Sequence, residues 1–160
     1  MIIKANHTLI TSKTKPQLAS SSRYYRTREG ESRDGFNRDQ DRIEQREVNR
    51  AINQTEHQHS YRLIINPGGG HTESDLKELT RDTMGSLERP SSEFDWVAYE
   101  HRHHSAHDHV HVLALSEDKI NHQELTHMRD IAIESWRQHS REQALTQSPS
   151  QQEGRTWSRS

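Results

Sequence analysis

The chain alternates long polar stretches with a few short apolar runs, and those runs set the expected elements. They fall at residues 1–10, 61–65, 94–99 and 110–115. Residues 1–9 read as a strand with Ile3 and Leu9 among polar neighbours, and Pro16 opens a short helix through Ala19 toward Tyr25. Residues 29–38 form a turn-rich link holding Gly30 and the Asp34-Gly35 pair. Residues 38–55 offer only Ile43, Val48 and Ile52 among interspersed charges, which predicts an exposed helix that packs weakly.

Residues 60–66 are rich in β-formers and stop at Pro67 and the Gly68-Gly69-Gly70 run. That turn lacks the lysine of a phosphate-binding loop and reads as a plain strand-to-helix turn. Thr72 and Asp75 make a capping box for a helix continuing through Leu76, Leu79, Met84 and Leu87. Residues 94–101 and 109–116 are two further strands, expected to pair as a hairpin across a loop of about seven residues. Residues 124–145 form a final helix with Leu125, Met128, Ile131, Ile133 and Trp136 available to a core. The order predicts an α+β fold, an antiparallel β-sheet covered by helices. Residues 1–145 make the expected domain, and the Ser/Gln-rich residues 146–160 a disordered polar tail.

Hydrophobic residues are 28% and charged residues 29% of the chain, a balance that leans toward disorder unless the apolar residues cluster. Here they do cluster, so a modest core is expected. Formal net charge is −2, yet residues 1–30 hold Lys4, Lys13, Lys15, Arg23, Arg26 and Arg28 against the single acid Glu29. A local basic arm of this kind can attract phosphate; for a charge run alone, a solvated surface with no partner is the simpler reading. The absence of cysteine excludes disulfides and thiolate zinc sites. No apolar stretch approaches the ~20 residues needed to span a membrane. Lys4 and His7 interrupt the only N-terminal apolar run, so no signal peptide is expected and the cytoplasm is the expected location.

Thirteen histidines in 160 residues is a high count, and six of them fall within residues 100–111. Alternate residues on a strand share a face, ~6.6 Å apart. His109 and His111 therefore point the same way, with Val110 and Val112 toward the core. His101 ends the preceding strand, where antiparallel pairing brings its imidazole beside them. Three neutral imidazoles at ~2.0–2.2 Å from an ion leave coordination positions open for substrate. His103 or His104 can replace His101 as third ligand, and Asp108 or Glu100 can orient a ligand through a hydrogen bond. For His103, His104 and His107 a solvated loop is the simpler reading.

Arg23-Tyr24-Tyr25-Arg26-Thr27-Arg28 sets two phenols among three arginines. A phenol of pKa near 10 becomes a useful nucleophile toward a phosphodiester that a metal polarises and arginines clamp. Taken alone, the pair reads more simply as aromatic packing beside a basic surface.

The stretch His109-Val110-His111-Val112, preceded by Asp95-Trp96-Val97-Ala98-Tyr99-Glu100-His101, resembles the metal motif of HUH-type relaxases from mobilizable plasmids and conjugative elements. Arg23-Tyr24-Tyr25-Arg26, followed by Arg28-Glu29-Gly30 and Arg33-Asp34-Gly35, is similar to their N-terminal tyrosine motif, and residues 61–67 to their strand before a helix. The similarity runs in the family's order over about residues 20–115. It implies a two-layer or three-layer HUH sandwich that nicks and religates one strand of DNA at an origin of transfer, initiating plasmid mobilization or conjugative transfer. The implied nucleophile is Tyr24, with Tyr25 in reserve, forming a 5′-phosphotyrosyl bond and leaving a 3′-hydroxyl. His101, His109 and His111 would hold Mg²⁺ or Mn²⁺, and Arg23, Arg26 and Arg28 would contact DNA. Accessory mobilization proteins are the implied partners, with no membrane. The connection from His101 to His109 is one residue longer than the family pattern leads one to expect. The long C-terminal region of many relaxases has no counterpart, which suggests a minimal nickase domain or a truncated relative. A rolling-circle replication initiator or transposase-type nickase is one alternative. A non-catalytic DNA-binding accessory with a structural metal is another.

Overall fold

The computed structural model describes residues 1–68, 75–88, 94–102 and 108–146, without the side chains of Glu29 and of residues 140–146. The elements run β1 (Ile2–Leu9), α1 (Lys15–Thr27), a 3₁₀ turn (Arg28–Gly30), α2 (Gln45–Gln54), β2 (His59–Asn66), α3 (Leu76–Gly85), β3 (Phe94–His101), β4 (His109–Ser116) and α4 (His122–Thr146). The fold is α+β, as the apolar runs predict. All four strands pair antiparallel in the order β1-β2-β4-β3.

Strand alternation sorts side chains onto two faces, and helices cover both, so the sandwich has three layers. Tyr61, Leu63, Ile65, Trp96, Ala98, Val110, Val112 and Ala114 pack against Leu76, Leu79 and Met84 of α3 and Met128 and Ala132 of α4. On the other face Val97, Tyr99, Leu113 and Leu115 meet Leu18 of α1, Ile43, and Val48 and Ile52 of α2. Only β3 and β4 contribute to that second cluster. The helices α1 and α2 therefore sit over one half of the sheet.

The expectation of a weakly packed, exposed helix over residues 38–55 is corrected here. The helix begins at Gln45, and its two large apolar residues, Val48 and Ile52, lie one turn apart at i and i+4, so both face the sheet. Val48 is 5% and Ile52 1% exposed. Upstream of it the chain is extended rather than helical. Phe36 exchanges backbone hydrogen bonds with Ala98 at 2.9 and 2.8 Å, and Gly35 with Ile43 at 3.3 and 2.7 Å. This arm covers part of the outer edge of β3, a place where unpaired strand groups otherwise invite association.

Helix α3 starts later than the sequence suggests. Asp75 caps it, its carboxylate accepting from the Glu78 amide at 3.1 Å. Thr72, Gly69, Gly70, His103, His104, His107 and the tail from residue 147 lie outside the described residues. Among the described residues no helix is long and apolar enough to cross a membrane.

Candidate metal centre

Pairing of β3 with β4 sets His101 directly opposite His109, and Tyr99 opposite His111. All four side chains project from the face that α1 covers. The three imidazoles lie close, with ring centroids 5.2 Å apart for His101–His109, 4.5 Å for His101–His111 and 4.9 Å for His109–His111. One ligand nitrogen from each lies within 4.8 Å of the others. Two ligands on one ion can be at most about 4.2 Å apart, so small ring rotations close the set. His101 and His111 are buried at 1% and 5% exposure, while His109 is half-buried at the rim.

The chemistry of His101 favours a cation. Its Nε2 lies 2.9 Å from the Tyr25 carbonyl oxygen. A carbonyl only accepts, so Nε2 carries the proton and the lone pair sits on Nδ1. That Nδ1 is buried and has no hydrogen-bond partner. Metal-bound histidines characteristically donate their other N–H to such a carbonyl. Burial pushes the His101 pKa down to about 3, helped by His111, the Arg33 guanidinium and His109. The ring is therefore neutral near pH 7, the state that metal ligation requires. The residues present thus fit a divalent ion, and a set of imidazoles without carboxylate suits Mn²⁺ and softer ions better than Mg²⁺.

Two guanidiniums close the mouth. Arg28 Nη1 donates toward His111 Nε2 at 3.3 Å. Arg33 donates to the carbonyls of Tyr25 at 2.6 Å and Arg28 at 3.3 Å. Its Nη1 also sits 3.4 Å from His101 Nε2, where it adds charge beside a nitrogen already donating elsewhere. Sequence patterning alone does not single out Arg33. It lies in the turn-rich link, and only the fold returns that link beneath the triad.

The two tyrosines separate by helical phase. Leu18, Ser22 and Tyr25 are spaced at i, i+4 and i+7, one face of α1, and this face meets the sheet. The Tyr25 ring stacks on His111 with centroids 4.4 Å apart and planes 14° from parallel. Tyr24, about 100° round the helix, is 57% exposed, its ring 6.3 Å from that of Tyr25. Arg28 lies 5.7 Å above the Tyr24 ring. The structure therefore brings Tyr25 onto the triad and leaves Tyr24 at its margin. Burial raises the Tyr25 pKa, while the charges of Arg62 and Arg28 pull it back.

The three arginines of the tyrosine segment also part company. Arg26 turns inward: it donates to Ile43 O at 2.7 Å, Arg33 O at 3.2 Å and Gln45 Oε1 at 3.2 Å, and its guanidinium lies over Tyr99. It ties α1 to the Gly35–Ile43 arm and has few donors left for phosphate. Arg23 is exposed and reaches Ser20; Arg28 faces the triad. Tyr99 is sealed beneath, its hydroxyl 2.5 Å from Ser22 Oγ. Glu100 and Asp108 both pair with Arg102, at 2.9 and 3.4 Å.

Comparison with protein families, curated proteins and solved structures returns no match for this chain.

Proposed function

We propose that this chain is a metal-dependent DNA nickase of the HUH relaxase type, in which Tyr25 rather than Tyr24 attacks the phosphate of a single strand. The observation that carries the reading is the Tyr25 ring stacked on His111, within a cluster of three imidazoles and two arginines. His101, His109 and His111 would hold a divalent ion, which would supply charge withdrawal from the phosphate. Arg28 sits where a phosphate oxygen beside the triad takes its donors, and Arg33 holds the Tyr25 and Arg28 carbonyls in place. Burial raises the Tyr25 pKa on balance, and the charges of Arg62 and Arg28 offset part of that rise.

The reaction is a transesterification. The phenol oxygen of Tyr25 bonds to phosphorus, the phosphorus–O3′ bond breaks, and the proton lost by the phenol is matched by one gained at the 3′ oxygen. One phosphodiester replaces another, so the strand can be rejoined. The role in plasmid mobilization, as against replication initiation or transposition, rests on the resemblance of the three sequence segments.

Incubation with Mn²⁺ and single-stranded origin DNA tests the reading through a covalent adduct that survives denaturant. Wild type and Tyr24→Phe are expected to form it, whereas Tyr25→Phe binds the strand without forming it. An adduct formed by Tyr25→Phe and lost in Tyr24→Phe returns the nucleophile to Tyr24. No adduct from the wild-type chain, with metal still bound, makes the centre structural and the protein a DNA-binding accessory.

A further inference from the structure

The end of the sheet farthest from the triad carries a second pair of imidazoles. His7 lies on β1 opposite Tyr61, and His59 on β2 opposite Leu9. Strand alternation sets both histidines on the face whose Tyr61, Leu63 and Ile65 enter the α3–α4 core. They are therefore diagonal neighbours across the β1–β2 ladder, within reach of one another. His7 Nε2 lies 2.9 Å from His59 Nδ1, with the ring centroids 5.1 Å apart. His59 in turn pairs with Ser116 of β4, five residues along that strand from His111. The pair is thus about 17 Å from the triad along the sheet, and on its opposite face.

Neighbouring groups hold both rings. The Tyr61 ring packs on His7 with centroids 5.0 Å apart, and the Tyr61 hydroxyl accepts from the Ile120 amide at 2.7 Å. The backbone beneath is tied past the last ladder pair, where Ile10 N donates to Gln58 O at 2.8 Å, and Ser60 Oγ donates to Thr8 O at 2.7 Å. His7 is exposed and His59 half-buried, so the pair opens to solvent. Burial lowers the His7 pKa, and the charges of His59 and Lys119 add to the effect, so this ring is mostly neutral near pH 7.

The contact as it stands is an N–H···N hydrogen bond, in which one ring offers a proton and the other a lone pair. Moving that proton to the far nitrogen of its own ring leaves two lone pairs side by side. Metal–imidazole bonds of about 2.0–2.1 Å set two ligands at a right angle roughly 2.9 Å apart, and two tetrahedral ligands roughly 3.3 Å apart. The observed separation fits the right angle, which is the geometry of tetragonal Cu²⁺ and Ni²⁺. We infer that His7 and His59 form a second metal site, separate from the triad, that takes Cu²⁺ or Ni²⁺ with water in the remaining positions. The ion fastens β1, the strand at the sheet edge that leads into α1, to its neighbour β2. Lys119, whose charge reaches His7, opposes the ion and sets a limit on its affinity.

Sub-equivalent Cu²⁺ added to the isotope-labelled chain tests the site, because the paramagnetic ion broadens the amide signals around it. Broadening is expected in two sets, one around the triad and one at residues 7–9, 59–61 and 118–120. His7→Gln and His59→Gln are each expected to abolish the second set and leave the first. His109→Ala, which weakens the triad, leaves the second set in place. Lys119→Gln brings on the second set at lower Cu²⁺, and added salt shrinks the difference. Ni²⁺ is expected to raise the thermal midpoint of the His109→Ala chain, and to raise it less once His7→Gln is added. Signals at residues 7–9 and 59–61 that stay sharp while those of the triad broaden overturn the site. Broadening there that survives both His7→Gln and His59→Gln does so too. Neither result depends on the nickase reading, since no DNA is present.

Discussion

His101 links stability to pH through a single buried ring. Its pKa falls from the usual 6.5 to about 3 because burial and the neighbouring charges disfavour the imidazolium. Between those values the unfolded chain binds a proton that the folded chain refuses, so stability rises with pH across this window. The contribution of the neutral ring is complete above pH 6.5 and is lost as pH falls toward 3. With metal removed by chelator, the unfolding midpoint is expected to drop over this range, and His101→Gln to drop less steeply. Identical slopes for the two chains in denaturant titrations at several pH values contradict the assignment. Residue type and strand alternation make this histidine legible in the sequence. Its tautomer is not, because the Tyr25 carbonyl that decides it comes from a helix far away along the chain.

At the scale of elements, α2 is the case where patterning misleads. Three apolar residues across residues 38–55 look too few to bury a helix, yet Val48 and Ile52 place both of their side chains on one face, and Ile43 joins them from an extended segment. Density of apolar residues matters less than their phase. Ile52→Ala is therefore expected to destabilise the protein by about 2–5 kcal/mol, as for other buried aliphatic truncations, measured by urea unfolding. An exposed helix would change by less than about 0.5 kcal/mol. Gly35 marks the other end of the same arm. A Cβ there would lie 2.8 Å from Val97 Cγ2 and 3.1 Å from the Tyr99 ring. Gly35→Ala is expected to cost about 1–3 kcal/mol through overpacking, against about zero if the arm were a free loop. The four strands, by contrast, are legible at nearly their full lengths, since a two-residue period between polar breaks has few other readings. The tyrosine phase on α1 is legible too, in the Leu18–Ser22–Tyr25 spacing.

For the molecule as a whole, the centre sets a cation site beside two other cations. No carboxylate belongs to the triad cluster among the described residues, and Arg28 donates to a His111 nitrogen that a metal ligand would offer as a lone pair. A divalent ion taking that nitrogen displaces Arg28 and is repelled by it and by Arg33. A phosphate bound at the same moment would shift the balance, since its negative charge would offset part of that repulsion and it would offer the ion an oxygen. Metal and strand are therefore expected to bind cooperatively, each raising the affinity of the other by the same factor. Calorimetric titration of the Tyr25→Phe chain with Mn²⁺ is expected to show affinity roughly five- to a hundredfold tighter with single-stranded DNA present than without it. Arg28→Gln carries the opposite sign in the two conditions: without DNA it binds Mn²⁺ more tightly than its parent, and with DNA it loses most of the gain. Equal Mn²⁺ affinity with and without the strand in the parent chain would show that the arginines act on neither ligand, and would leave Arg28 as packing against Tyr24.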